Sequence, residues 1–230
     1  MRQRSLAGTI ATLAAIAAAA ALAACGGSTP GNGIAAKPAS AILARTEAAI
    51  GSVKSVHVAG ALKSSGLAIG LDLDLLAGRG GEGQMTLNGR AVKIKAIGKT
   101  AYFNASPAFW KQYAGAAAAR FLHGNWLKMP ANTPGFASVV ALTDLHQLFG
   151  SFLGSGHPAV AKGKTTTIGG QSVIGVVNKA SGGTLYVATT GRPYPVAFER
   201  AGGGRLSFDR YNAPVSLKPP SHTFSILHLK

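Results

Sequence analysis

The sequence predicts an α+β protein: a strongly bent antiparallel sheet of about eleven strands, a half-barrel, with helices covering its concave face. Three observations carry this expectation. Apolar and polar residues alternate with a period of two through two long runs, residues 55–104 and 159–212. The connections within each run are short and rich in Gly, and Asn88-Gly89 is a strong hairpin signal. Between the runs lie two stretches of helical periodicity, suited to cover an apolar sheet face.

In chain order, a first helix is expected over residues 39–52, where Ile42, Leu43, Thr46, Ala49, Ile50 and Val53 recur at helical spacing. Strands follow at about 55–64, 67–76, 83–88, 91–97 and 100–104. In the second of these, Leu67, Ile69, Leu71, Leu73 and Leu75 share one face and Asp72 and Asp74 the other. Val92 and Ile94 likewise alternate with Lys93 and Lys95. One face apolar and one wet is antiparallel behaviour. The interlude holds a helix over 107–122 with Phe109, Trp110, Tyr113 and an Ala run, a short strand around Trp126, and a helix over 143–153. Leu145, Leu148, Phe149 and Phe152 form the apolar stripe of that last helix, and Thr143 or Asp144 caps it. The second run supplies strands at about 159–169, 172–178, 184–189, 194–200 and 205–212.

The 230 residues include 23 Lys+Arg, 7 Asp+Glu and a single cysteine, with 47% hydrophobic residues. One cysteine makes neither an internal disulfide nor a Cys-based zinc site. The apolar content is that of a globular chain, not a disordered one, and a single domain is expected over 38–230.

The N-terminus speaks for export. Arg2 and Arg4 precede an uncharged, Ala-rich run that ends in Leu22-Ala23-Ala24-Cys25. This tetrad is similar to a bacterial lipobox, so residues 1–24 read as a lipoprotein signal peptide. Cys25 reads as the lipidation site, holding the chain to the extracytoplasmic face of the cell membrane. Residues 25–37, which contain Gly-Gly-Ser-Thr-Pro-Gly-Asn-Gly, read as a flexible tether of roughly 20 Å root-mean-square reach.

Catalysis finds little footing. Apart from Asp72 and Asp74, the acidic residues stand apart in sequence, and no G-x-S-x-G elbow surrounds a serine. Gly78 to Gly83 satisfies G-x-G-x-x-G but leads into a strand, whereas a dinucleotide needs a helix N-terminus there. The six histidines are scattered without H-E-x-x-H spacing. No enzyme activity, cofactor or metal is expected. Without the first 24 residues the chain keeps 21 Lys+Arg against 7 Asp+Glu, a net of +14. An exported chain whose aromatics do not interleave with its basic residues is a poor nucleic-acid binder. Anionic headgroups or wall polymers are the nearer partners.

Four stretches carry a resemblance: Ser55-Val56-His57-Val58; Gly169-Gly170-Gln171-Ser172; Leu185-Tyr186-Val187 with Thr190-Gly191-Arg192-Pro193; and Phe208-Asp209-Arg210-Tyr211-Asn212 with Pro214-Val215. Together with the order of helix, meander, helices and meander, they make the chain resemble the LolA/LolB half-barrels and, within them, the mycobacterial LprG/LppX-type lipid-carrier lipoproteins. The resemblance implies an apolar cavity for acyl chains under the bent sheet. It also implies a monomer that carries an acylated lipid or glycolipid between membrane and envelope, with an export transporter as partner. Leu67, Ile69, Leu71, Leu73, Leu75, Val92 and Ile94 from the sheet, with Leu145, Leu148, Phe149 and Phe152 from the helix, are the candidate cavity residues. The residues by themselves leave an alternative open: if the helices fit completely, the interior is a filled core. The chain is then a lipid-tethered interaction module for an anionic wall polymer or a protein.

Overall fold

The computed structural model describes residues 30–64, 66–153 and 159–225. The expected signal peptide and Cys25 lie outside them, as do the side chains of Leu67 and Phe152. Helix α1 (Ala39–Ile50) opens the fold. The first meander follows as β1 (Ser55–Ser64), β2 (Leu67–Leu76), β3 (Gly80–Leu87), β4 (Arg90–Ile97) and β5 (Thr100–Ala105). Helix α2 (Pro107–Phe121), β6 (Trp126–Pro130), α3 (Ala137–Ala141) and α4 (Leu145–Leu153) form the interlude. The second meander is β7 (Val160–Ile168), β8 (Gln171–Asn178), β9 (Thr184–Ala188), β10 (Pro195–Glu199) and β11 (Gly204–Asp209), and β12 (Thr223–Ser225) comes last.

These strands make one curved, unclosed sheet in the order β12-β6-β5-β4-β3-β2-β1-β11-β10-β9-β8-β7. The two meanders join where β1 pairs with β11, His57 opposite Asp209. Close approach of strands at the bends needs glycine. At Gly83, with φ 151°, a Cβ would stand 2.1 Å from the Asp72 carbonyl oxygen, and at Gly60, with φ 135°, 2.2 Å from that of Arg205.

The concave face holds the core. Val56 and Val58 of β1, Leu73 and Leu75 of β2, Ile94 of β4, Val187 of β9 and Leu206 of β11 are almost wholly buried. Helix α1 lies against β7 and β8 with Ile42, Leu43 and Ile50 inward. Helix α4 buries Leu145, Leu148 and Phe149, the last ring 5.0 Å from that of Phe208. Asp144 caps it, its Oδ1 accepting from the Gln147 N–H at 2.9 Å. Ser106 caps α2 in the same way, with Pro107 in the first turn.

Three features add to the sequence reading. Among the described residues the strands number twelve: β12, beyond the about eleven expected, pairs parallel with β6, while every other pairing is antiparallel. Helix α3 was not expected. And the stretch expected as flexible tether is docked over its described part: Gly31 bridges Thr190, and residues Ile34–Ala36 form a 3-10 turn that buries Ile34.

Candidate functional site

Three groups of residues enclose an apolar cavity of about 360 Å³. Met85 and Leu87 of β3, Val92 of β4 and Phe103 of β5 form its floor. Phe109, Trp110, Tyr113 and Ala114 of α2 form one wall. Gly135 and Phe136, with Val139 of α3, form the other. No charged side chain lines it. Five of the eleven lining residues are aromatic, and they pack in tilted or edge-on contacts: Phe103 on Phe136 at 5.1 Å, Phe109 on Trp110 at 5.3 Å and on Tyr113 at 4.6 Å. Trp110 is buried beside the cavity, and its Nε1–H has no hydrogen-bond acceptor among the described residues. Such an orphan donor costs roughly 1–3 kcal/mol. A larger hollow of about 510 Å³ is more open, and Arg192, Asp209 and Arg210 put three charged side chains in its lining. Charge in the wall suits it less to an acyl chain.

The cavity exists because α2 cannot fill it. The middle of this helix reads Ala114-Gly115-Ala116-Ala117, and Gly115 leaves helical geometry altogether at φ 86°, ψ 170°. Only Phe109, Trp110 and Ala119 of α2 are buried.

The convex face carries the polar groups. His57 of β1 sits between two carboxylates, Nδ1 2.7 Å from Asp209 and Nε2 3.0 Å from Asp72. With both ring nitrogens facing carboxylates, the protonated ring satisfies both contacts by donating to each. Burial works to lower the imidazole pKa, but the bonds to Asp72 and Asp209 outweigh it and raise it above the ordinary 6.5. Arg210 completes the cluster, donating to Asp74 at 2.8 Å. Farther along, Tyr186 and Arg205 both donate to Glu199 and hold its carboxyl below the usual range. Each ring nitrogen of His57 has its own partner, and among the described residues no group of three His, Cys, Asp or Glu is placed to hold a metal ion.

No family model matches the chain, and no curated protein matches it in sequence. Its structure is similar to the crystal structure of LprF from Mycobacterium bovis, with a TM-score of 0.54 over 80% of this chain and 99% of that one, at 15% identity. The chain has the LprF fold. It is the half-barrel that the sequence resemblance to the LprG/LppX type implied. Lipoprotein LppX of Mycobacterium tuberculosis aligns over 78% of this chain and 98% of its own, at 17% identity and a TM-score of 0.47. No helix among the described residues is long and apolar enough to cross a membrane.

Within this fold, among the described candidate cavity residues only Val92 lines the open volume. Leu71, Leu73, Leu75 and Ile94, with Leu145, Leu148 and Phe149, are buried members of one core cluster. Ile69 is partly buried at its edge. The sequence reading passed over Phe103, Phe136 and the aromatic first turn of α2 as cavity residues. The signal that finds them is a helix whose apolar positions shrink to Ala and Gly next to an aromatic cluster.

Proposed function

We propose that the chain is a membrane-anchored extracytoplasmic lipoprotein that binds an acylated lipid or glycolipid in the aromatic cavity under α2 and carries it between membrane and envelope, without catalysis. The observation that carries this reading is the cavity itself. Its volume of about 360 Å³ falls within the range of small-molecule sites, roughly 300–1,000 Å³. Its lining has no charge, and it sits under the bent sheet of an LprF-like fold. The unpartnered Trp110 N–H adds support, because it calls for an acceptor such as a lipid ester or carboxyl oxygen supplies. The Leu22-Ala23-Ala24-Cys25 tetrad supports the acyl anchor, and Cys25→Ala is expected to abolish it, read by intact mass.

The test is lipid extraction and mass spectrometry of the protein purified from its host. Stoichiometric acylated lipid is expected in the wild type. Val139→Trp, which places a ring in open volume, is expected to lose that lipid with a melting temperature close to wild type. Wild-type protein free of lipid, or a Val139→Trp variant that keeps its full complement, overturns the assignment.

A further inference from the structure

We infer that helix α2 is a bilayer-docking surface that seats on an anionic lipid surface at the rim of the cavity; this rests on the lipid-binding reading above. The large hydrophobic side chains that stand exposed among the described residues are Tyr113, Phe121 and Phe224, at 53%, 46% and 37%. Tyr113 and Phe121 are on α2, on either side of the kink at Gly115, and Phe224 of β12 packs against Phe121 with ring centroids 4.6 Å apart. Between Tyr113 and Phe121, Ala114 to Ala117 are also exposed. An exposed apolar stretch with aromatic residues at its ends is costly in water and suited to a membrane interface. Tyr113 and Ala114 also line the cavity, so the patch is its rim.

Charge selects the occupant. From residue 83 to residue 143 there is no Asp or Glu, against seven Lys and Arg. Of those seven, among the described residues, only Lys95 has an ion-pair partner, Glu82. Lys111 and Arg120 flank the apolar stretch on α2 itself, and Arg90 stands in the hairpin between the cavity residues Leu87 and Val92. An apolar stretch between uncompensated cations matches negatively charged headgroups over an apolar interior. Docked this way, an acyl chain passes between bilayer and cavity without crossing water.

The described sheet, helices and core all lie within residues 30–225, so the chain from Gly26 onward carries the fold and serves for the test. Its co-sedimentation is measured with vesicles of phosphatidylcholine alone and of phosphatidylcholine with one part in three phosphatidylglycerol. The wild type is expected to favour the anionic vesicles by at least about tenfold, and to lose that preference in high salt. Phe121→Ser/Phe224→Ser, neither residue lining the cavity, is expected to cut anionic-vesicle binding about tenfold while uptake of a fluorescent fatty acid from solution stays unchanged. Lys111→Gln/Arg120→Gln is expected to cut it by a similar factor, and Lys179→Gln/Arg200→Gln, exposed on the second meander, by less than about twofold. Equal losses from the two basic pairs, an aromatic double variant that binds like wild type, or a wild type indifferent to anionic lipid each overturn the docking surface, the last leaving a protein as the occupant of the patch. Vesicle binding through α2 without fatty-acid uptake upholds docking and sinks the carrier reading instead.

Discussion

Under α1 the sheet is closed. Leu43 meets Val160, Val176, Leu185 and Phe198, and the space left among them is about 10 Å³, at the lower limit for a single water. Under α2 the same sheet stays open by about 360 Å³. The sheet supplies large apolar side chains in both places, so the difference lies in the covers. Helix α1 sets Ile42, Thr46 and Ile50 four residues apart along its inner face; α2 buries Phe109 and Trp110 at its start and, past the non-helical Gly115, only Ala119. A ligand site here is made by leaving side chains out of a cover, while the sheet beneath remains an ordinary core-forming surface.

The strongest way to break this comparison is to trim one apolar side chain beside each region. Ile42→Ala removes fully buried methyl groups from a filled interface and is expected to cost roughly 2–5 kcal/mol. Val139→Ala, on the open side, is expected to cost about 1 kcal/mol or less, because part of its surface has no packing partner to lose. Chemical denaturation of both variants measures the difference, and equal losses would show that the cavity wall packs as tightly as the core.

Adding volume sharpens the contrast. Leu71 is 7% exposed in the closed region, so Leu71→Trp is expected to cost roughly 1–3 kcal/mol by overpacking and to leave bound lipid in place. This is the opposite pairing to that expected for Val139→Trp. Melting temperature and lipid content, measured together, decide it; lipid lost from the Leu71 variant would extend the binding site into what is here the core.

The smallest expected effect concerns the seam between the meanders. His57 is faced by Asp72 and Asp74 from β2, by Asp209 at the end of β11 and by Arg210 just past it. Because its folded pKa is raised, its stabilising contribution is complete below about pH 6.5 and is lost as pH rises through the folded value. The partners are mostly exposed, which limits the effect to the order of 1 kcal/mol. His57→Gln is expected to lower the melting temperature at pH 5.5 and leave it nearly unchanged at pH 8.5. Equal losses at both pH values would assign His57 a packing role only.

The strands were legible where alternation was long. β1 and β2 fall at the residues their period-two pattern marks, because ten residues of in-and-out burial leave no other register. β12 was not, since three residues hold no period and its pairing with β6 depends on chain returning from a hundred residues away. Helix α3 is five residues long without a buried side chain. Asp72 was correctly set on the wet face, but its meeting with His57 and Asp209 depends on the β1–β11 register, a long-range fact. The cavity escaped for a related reason: bulky residues announce burial, and the candidate residues were chosen for bulk, whereas an opening is announced by their absence in α2.

The docked N-terminal segment governs which way the opening points. Asn32 N–H donates to the Thr189 carbonyl at 2.7 Å, and its Nδ2 to the carbonyls of Ala188 and Gly191, just past the end of β9. Strand directions put α2 at the opposite end, where β5 finishes. Six residues separate Gly31 from Cys25, a maximum span of about 20 Å. On the proposed anchor, an acyl group at Cys25 would moor the molecule by its β9 end and turn the cavity away from the bilayer that holds it. Freeing Asn32 and lifting Ile34 out of the core would lengthen the tether as far as Pro38, about 45 Å at full stretch, well beyond the roughly 26 Å length of an eight-residue strand. On the proposed anchor, these amide contacts and one buried isoleucine would set how far the domain can swing from the membrane.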